Sequence, residues 1–169
     1  TNFLIMGRDA GLAPVVTVVA PERALVSRML DAGALGIILS HAESAEQVEK
    51  LVRWMKYAPS GERGLALGAN AMYNDSDVAR YCQESNDAML VLPKIESPLG
   101  VKNAEAIMSV PGVDGIVFGP GDLAAKMGFH GQWQHPEVLG VMETVIEGAL
   151  ERGLAVEPAI IPRDRAGYQ

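Results

Sequence analysis

Residues 90–123 read LVLPKIESPLGVKNAEAIMSVPGVDGIVFGPGDL, and this stretch decides the fold. Two short apolar runs, 89–96 and 115–118, flank a segment whose apolar residues recur at helical spacing. Two strands that are joined by a helix pair in parallel, so the pattern predicts one βαβ unit. In such units ligands gather at the carboxyl ends of the strands, which is where Glu96 and Asp122 stand. These two acids are therefore the first candidates for a functional site.

The rest of the chain continues this alternation of strand and helix. Further strands are predicted at 14–19 (PVVTVV), 36–39 (GIIL) and 154–158, and helices at 21–33, 44–55, 75–85, 122–127 and 136–152. The run 14–19 is β-branched throughout after its proline, which predicts a strand buried on both faces. Ser44 and Gln47 form a capping-box pattern. Alternating strands and helices predict an α/β fold with a parallel sheet.

Three stretches fall outside this alternation. Residues 1–13 show no regular period, residues 160–169 have no assignment, and 57–64 (YAPSGERG) is predicted to be a loop because it contains proline and two glycines. A closed βα barrel has eight strands and usually needs about 250 residues. The chain is therefore either a smaller open α/β sheet or a barrel from which pieces are missing.

The composition excludes several classes of partner. The chain has 169 residues, of which 49% are hydrophobic and 21% are charged, as in ordinary globular domains. A net charge of −7 argues against nucleic acid, which is itself a polyanion. The single cysteine, Cys82, cannot form an internal disulfide, which fits a reducing compartment. Because no run approaches 18 apolar residues and no secretory leader is visible, we expect a cytoplasmic protein without a membrane span.

Several motifs together identify a family. The sequence KIESPLGVKNAEAIMSVPGVDGIVFGPGDLAAKMG at 94–128, HPEV at 135–138, and the upstream motifs AGLAPVVTV, LDAGALGI and YAPSGERG resemble the HpcH/HpaI aldolases. These are metal-dependent pyruvate-enolate enzymes that include macrophomate synthase. The resemblance implies a (β/α)8 TIM barrel with its active site at the carboxyl ends of the strands. It also implies a homo-oligomer, a trimer or hexamer.

By the same resemblance, the barrel is incomplete in this chain. The residues match the family from about the third strand to about the seventh, so the first two strands and the last strand are not present. We therefore expect residues 1–169 to form a single partial TIM-barrel domain.

The resemblance assigns Glu96 and Asp122 as ligands of Mg²⁺ or Mn²⁺. Carboxylates suit these hard cations, and two of them leave positions open for water and a chelating 2-oxo acid. The backbone N–H groups of Gly121 and Asp122 would point toward the substrate carboxylate at the start of the following helix. The alternative is that both acids serve only as helix caps.

One position departs from the family. Thr17 stands where the family has an arginine that holds the keto oxygen of the substrate, and threonine carries no fixed charge. The family's usual histidine base follows its second strand, in a segment that is not present here. We therefore expect retro-aldol cleavage to be impaired, with Thr17 as a weaker substrate-binding residue.

Two further residues are candidates for catalysis. His41 follows the strand 36–39 and matches a histidine of some family members, so it could donate to substrate or shuttle a proton; the alternative is a surface histidine without a role. Lys94 replaces the family's usual glutamine and shares a strand face with Glu96. Lys94 could supply the charge of the missing arginine, pair with Glu96 and weaken metal binding, form a Schiff base, or make only a salt bridge.

Two other groups carry less weight. Arg63 matches a family arginine, and we favour a structural role for it over one at the rim of the site. His130, Trp133 and His135 lie close in sequence, but their spacing fits no regular zinc site.

These observations predict a metal-dependent carbon–carbon lyase that acts on small 2-oxo acids through a pyruvate enolate. Aldol cleavage of 4-hydroxy-2-oxo acids and oxaloacetate decarboxylation are both open, and decarboxylation is favoured because it needs no base. One alternative is a truncated, impaired relative that binds 2-oxo acids or only assembles. Another is a Schiff-base aldolase that uses Lys94.

Overall fold

The computed structural model describes residues 2–73, 76–157 and 159. Its strands are β1 (Val15–Val18), β2 (Gly36–Leu39), β3 (Leu90–Ile95), β4 (Gly115–Phe118) and β5 (Ala155–Glu157). Its helices are α1 (Asn2–Asp9), α2 (Arg23–Asp31), α3 (Ala45–Met55), α4 (Val78–Ala88), α5 (Pro98–Lys102), α6 (Ala104–Met108), α7 (Pro120–Lys126) and α8 (Pro136–Glu151), with a 3₁₀ turn at Ala69–Ala71.

The five strands form one parallel sheet in the order β1-β2-β3-β4-β5. Each strand lies beside the next one along the chain, and helices make the crossovers, as in a (β/α)8 barrel. All five carboxyl ends therefore meet at one edge. The predicted α/β fold of the incomplete TIM-barrel type is confirmed.

The two faces of the sheet differ. One face packs on the helices through fully buried residues such as Ile37, Ile95 and Phe118, which meet Leu51 of α3 and Met142 of α8 within a single apolar core. The opposite face carries Lys94, which is only partly buried. Lys94 therefore lies on the face that corresponds to the inside of a barrel.

The prediction that strand 14–19 is buried on both faces is wrong. Val18 is buried, but Thr17 is exposed and Val19 is 75% exposed. Within the described residues, β1 is an edge strand that pairs only with β2, so its second side has no neighbouring strand. A β-branched run predicts a strand but does not show which strands cover it.

Helix α1 was not predicted. Its apolar residues 3–6 are consecutive, so they do not show the helical spacing by which a surface helix is recognised, and none of the helix residues is buried. Arg8, near its end, donates to the carbonyl oxygens of Ala69 at 3.3 Å and Asn70 at 3.0 Å. Leu4 also packs against the core, so the helix is held by one apolar contact and by polar contacts that sequence periodicity does not show.

Several predicted boundaries shift. The helix predicted at 75–85 is α4, and its N-cap is Asp77, whose side chain accepts from Arg80 N; Asp75 lies outside the described residues. The segment between β3 and β4 forms two short helices that meet at Asn103, where one helix was predicted. Helix α7 begins at Pro120 and not at Asp122, because proline suits the first helical position. Pro158 and residues 160–169 lie outside the description.

Two local predictions are confirmed. Ser44 accepts from Gln47 N, and the Gln47 side chain accepts from Ser44 N, which completes the capping box of α3. Arg63 in the loop 57–64 has a buried side chain, lies over the Tyr57 ring at 4.6 Å and approaches Asp31 at 3.5 Å. These contacts hold the loop against α2.

None of the helices in the described part of the chain is long and apolar enough to cross a membrane.

Candidate active site

A pocket of about 350 Å³ opens at the carboxyl ends of the strands. Every strand contributes at least one residue to it: Thr17, Ile38, Lys94, Val117, Phe118 and Glu157. The start of α7 supplies the rim through Gly119, Pro120, Gly121 and Asp122. The pocket therefore lies where an enzyme of the barrel type carries its chemistry.

Glu96 follows β3 directly and is only 2% exposed. Its Oε1 accepts a hydrogen bond from the backbone N–H of His41 at 2.8 Å. Its Oε2 lies 2.9 Å from Lys94 Nζ, but this ion pair lacks hydrogen-bond geometry, so Oε2 has no hydrogen-bond partner among the described residues. A buried carboxylate oxygen without a hydrogen bond is a candidate ligand for a divalent cation, for which Lys94 competes.

The cap interpretation of the two acids is wrong. The N-cap of α5 is Ser97, whose hydroxyl accepts from Gly100 N at 3.0 Å, and the N-cap of α7 is Gly119. Glu96 therefore precedes the cap, while Asp122 lies inside the first turn. Neither acid is needed to begin its helix.

Gly119 allows β4 to pass close over Glu96. A Cβ at this position would lie 2.7 Å from Glu96 Cβ and 3.0 Å from Lys94 Cε, and it would overlap Glu96 Oε2. The Gly119 N–H donates to Ile95 O at 3.1 Å, which keeps the two strand ends together. The first glycine of the GPGD motif, Gly119, is therefore required for the packing of the Lys94–Glu96 pair.

His41 lies beside Glu96 in a left-handed backbone conformation, with φ of 51°. Its Nδ1 is 3.2 Å from Glu96 Oε1 and 2.9 Å from Lys126 Nζ. Positive φ is unfavourable for a residue with a Cβ, and such strain concentrates at functional sites. The structure thus joins His41, Lys94 and Glu96 as neighbours.

Sequence reasoning missed Lys126. This residue lies on α7 four residues after Asp122, so the two side chains share one face of the helix. That spacing was the available signal, but nothing in the sequence indicates that His41, 85 residues earlier, is the contact.

Asp122, Gly121 and Thr17 lie around the pocket and are exposed. Gly121 and Asp122 belong to the first turn of α7, where backbone N–H groups have no acceptor within the helix. Thr17 offers one hydroxyl from the edge strand β1. All six candidate positions named from the sequence therefore lie at the same end of the sheet, although His41 and Glu96 are not among the pocket-lining residues.

The donor set fits a hard divalent cation. Mg²⁺ usually takes one or two protein carboxylates and keeps several waters, which matches Asp122 together with Glu96, whose Oε2 makes no hydrogen bond among the described residues. Among the described residues, no group of three or more His, Cys, Asp or Glu side chains could hold a metal. Water and substrate would therefore complete the coordination, and Lys94 competes for Oε2.

His135, the residue before α8, has structural contacts. The His135 ring stacks on Phe129 at 3.7 Å, and its Nδ1 accepts from Glu137 N at 3.3 Å as the N-cap of α8.

The parallel βα sheet, with two acids at the carboxyl ends of neighbouring strands, defines an enzyme-type fold of the (β/α)8 class. The chain belongs to the HpcH/HpaI aldolase/citrate lyase family, whose sequence profile matches residues 3–166. This membership confirms the family that the GPGD and IES motifs indicated.

Similar proteins show the same family. The chain is 34% identical over 152 residues to a 2-keto-3-deoxy-L-rhamnonate aldolase of Klebsiella pneumoniae, covering 87% of this chain and 57% of that protein. It is 37% identical over 142 residues to a hydroxypyruvate/pyruvate aldolase of Pseudomonas aeruginosa, covering 84% and 53%. The crystal structure of an HpcH/HpaI aldolase from Desulfitobacterium hafniense superposes with a TM-score of 0.90 at 32% identity, covering 98% and 64%. The chain therefore spans somewhat more than half the length of these relatives.

Proposed function

We propose that this chain carries a carbon–carbon lyase site for small 2-oxo acids, with Mg²⁺ or Mn²⁺ held by Glu96 and Asp122. The observation that carries the proposal is the buried Glu96 carboxylate, whose Oε2 lacks a hydrogen bond beside the pocket that Asp122 lines. When bound, the metal supplies Lewis-acid stabilisation of a pyruvate enolate. The relatives' aldolase activities toward 2-keto acids and pyruvate support this class of substrate.

The chain's own residues account for substrate binding. The Lys94 ammonium lines the pocket and would attract the carboxylate of a 2-oxo acid. First-turn N–H groups of Gly121 and Asp122 can donate to the same carboxylate, and the Thr17 hydroxyl adds one neutral donor. Lys94 in this position takes over part of the charge that the family arginine supplies elsewhere.

Within this class we propose oxaloacetate decarboxylation over aldol cleavage. In decarboxylation the bond between C3 and the C4 carboxylate breaks, carbon dioxide leaves, and the electron pair stays on C3 as the enolate of pyruvate. Protonation of C3 then gives pyruvate. No base has to remove a hydroxyl proton, so a site with Thr17 in place of the family arginine can still perform this step.

The Schiff-base alternative has weaker support. An imine requires a neutral amine as nucleophile, whereas Lys94 Nζ is engaged by the Glu96 carboxylate at 2.9 Å. Borohydride reduction in the presence of oxaloacetate and EDTA tests it, because only an imine would attach the substrate covalently to Lys94.

The test of the proposal is oxaloacetate turnover by the purified chain with Mg²⁺ or Mn²⁺ and with EDTA. We expect metal-dependent turnover above the free-metal background, its loss in Asp122→Ala, and its retention in Asp9→Ala, a matched change at an exposed aspartate of α1. A folded chain without turnover would instead support the impaired relative that binds 2-oxo acids or only assembles. Sedimentation velocity tests the further proposal of a homo-oligomer, a trimer or hexamer.

A further inference from the structure

The contact between Lys126 and His41 limits where the His41 proton can be. Lys126 Nζ lies 2.9 Å from His41 Nδ1. A lysine ammonium has three donors and no acceptor. The contact is therefore a hydrogen bond only if Nδ1 has no proton and presents its lone pair to Lys126.

Glu96 does not require a proton on the same nitrogen. Its Oε1 is 3.2 Å from His41 Nδ1, longer than the contact from Lys126. That oxygen already accepts a hydrogen bond from the backbone N–H of His41 at 2.8 Å, so it has a donor without a proton on the ring. If Nδ1 carried a proton, that proton would face an ammonium group at hydrogen-bond distance.

The surrounding structure holds this arrangement on three sides. The backbone of His41 is in the left-handed region, its N–H is anchored to the buried Glu96, and Lys126 reaches the ring from α7. The side chain of His41 is 46% exposed, and its hydrogen-bond contacts among the described residues are made through its backbone N–H and Nδ1. The outer edge of the ring is therefore accessible.

We propose that Lys126 is a positioning residue that holds His41 as the neutral tautomer with its proton on Nε2. His41 then presents an N–H donor at its exposed edge and acts as a hydrogen-bond donor to a developing oxyanion, not as a base. This consequence for catalysis rests on the proposed function. It deepens that function, because a neutral donor next to the site helps to compensate for Thr17 in place of a charged arginine.

Nitrogen NMR of ¹⁵N-histidine-labelled protein tests the tautomer directly. The chain has three histidines, and His41→Asn assigns the signals of His41. We expect an unprotonated Nδ1 and a protonated Nε2 in the unchanged chain and in Lys126→Arg, whose guanidinium also only donates. In Lys126→Met only Glu96 remains next to Nδ1, so we expect the proton to move to Nδ1.

Lys102→Met, at an exposed lysine in the last turn of α5, is the matched control and should leave the His41 signals unchanged. A proton on Nδ1 in the unchanged chain would overturn the proposal. So would His41 signals that do not respond to Lys126→Met. Both results are obtained without measuring activity, so they are independent of whether oxaloacetate is turned over.

Turnover supplies the second measurement. Because the tautomer change removes one donor to the oxyanion, Lys126→Met should lower kcat about 100-fold while KM changes by less than about twofold. Lys126→Arg should retain most of kcat. A Lys126→Met chain that changes its tautomer but keeps kcat would overturn the donor role of His41. If the unchanged chain has no turnover, the proposed function fails while the NMR result still decides the tautomer.

Discussion

Lys94 Nζ lies 2.9 Å from Oε2 of Glu96, a carboxylate that is almost completely buried. Both residues lie at the carboxyl end of β3, and in the proposed metal site their roles oppose each other. An ammonium group neutralises the acid and thereby occupies the oxygen that a divalent cation would bind. The relationship predicts that this site binds metal more weakly than its acids alone would.

Replacing Lys94 should therefore strengthen metal binding. In Lys94→Gln the amide cannot neutralise Glu96, and we expect Mn²⁺ affinity to rise about 10-fold or more, since nearby unit charges interact by roughly 4 kcal/mol at a protein surface. Calorimetric titration with Mn²⁺ measures the change. Lys94→Arg keeps the charge and should show no such gain. An unchanged or lower affinity in Lys94→Gln would show that Lys94 does not compete with the metal.

Gly119 and Gly121 provide a matched pair for the packing of the site. A Cβ on Gly119 would meet Glu96 and Lys94, whereas a Cβ on Gly121 would meet nothing within 4 Å. We expect Gly119→Ala to lower the free energy of unfolding by about 1–3 kcal/mol, as overpacked sites do. Gly121→Ala should change it by less than about 0.5 kcal/mol. Urea unfolding compares the two variants, and equal effects would contradict the close approach at Gly119.

The left-handed backbone at His41 predicts that two substitutions there differ in stability but not in their effect on turnover. Glycine adopts positive φ without steric cost, whereas β-branched residues do not. We expect the free energy of unfolding of His41→Gly to exceed that of His41→Val by about 1–2 kcal/mol, as measured by urea unfolding. Both variants should lower kcat about 100-fold, because neither has the imidazole donor. A more stable His41→Val would mean that the backbone strain is absent.

Tyr57 predicts a loss of stability at alkaline pH. Burial is the main cause that raises the pKa of the Tyr57 hydroxyl far above its ordinary value of 10.0. The unfolded chain therefore loses this proton first, and the stabilisation, which is complete below about pH 10, is lost as pH rises toward the folded pKa, by at most about 1.4 kcal/mol per pH unit.

Chemical unfolding between about pH 10 and 11 should accordingly show a shallower loss in Tyr57→Phe than in the unchanged chain. Tyr73→Phe, at a tyrosine that is 80% exposed, is the control. Burial also lowers the pKa of Lys56, but that group titrates in all three proteins and cancels in the comparison. Equal slopes in Tyr57→Phe and Tyr73→Phe would contradict the burial effect.

The sequence alone determined the alternation of elements and the position of the two acids. Strands β2 and β4 have the predicted limits because short apolar runs bounded by glycine or turn residues are local signals. The capping box of α3 is equally local. Glu96 and Asp122 could be placed at strand ends for the same reason, since the end of a strand can be read from its own residues.

Tertiary structure decided the features that depend on distant residues. Only the packed sheet brings Lys126 to His41 across 85 residues, exposes one side of β1 at an edge, and ties α1 to the 3₁₀ turn through Arg8. Periodicity reports which face of an element is apolar, but it does not report which neighbour lies beside it. For that reason the sequence determined where the acids of the site stand, and the fold determined which cations stand next to them.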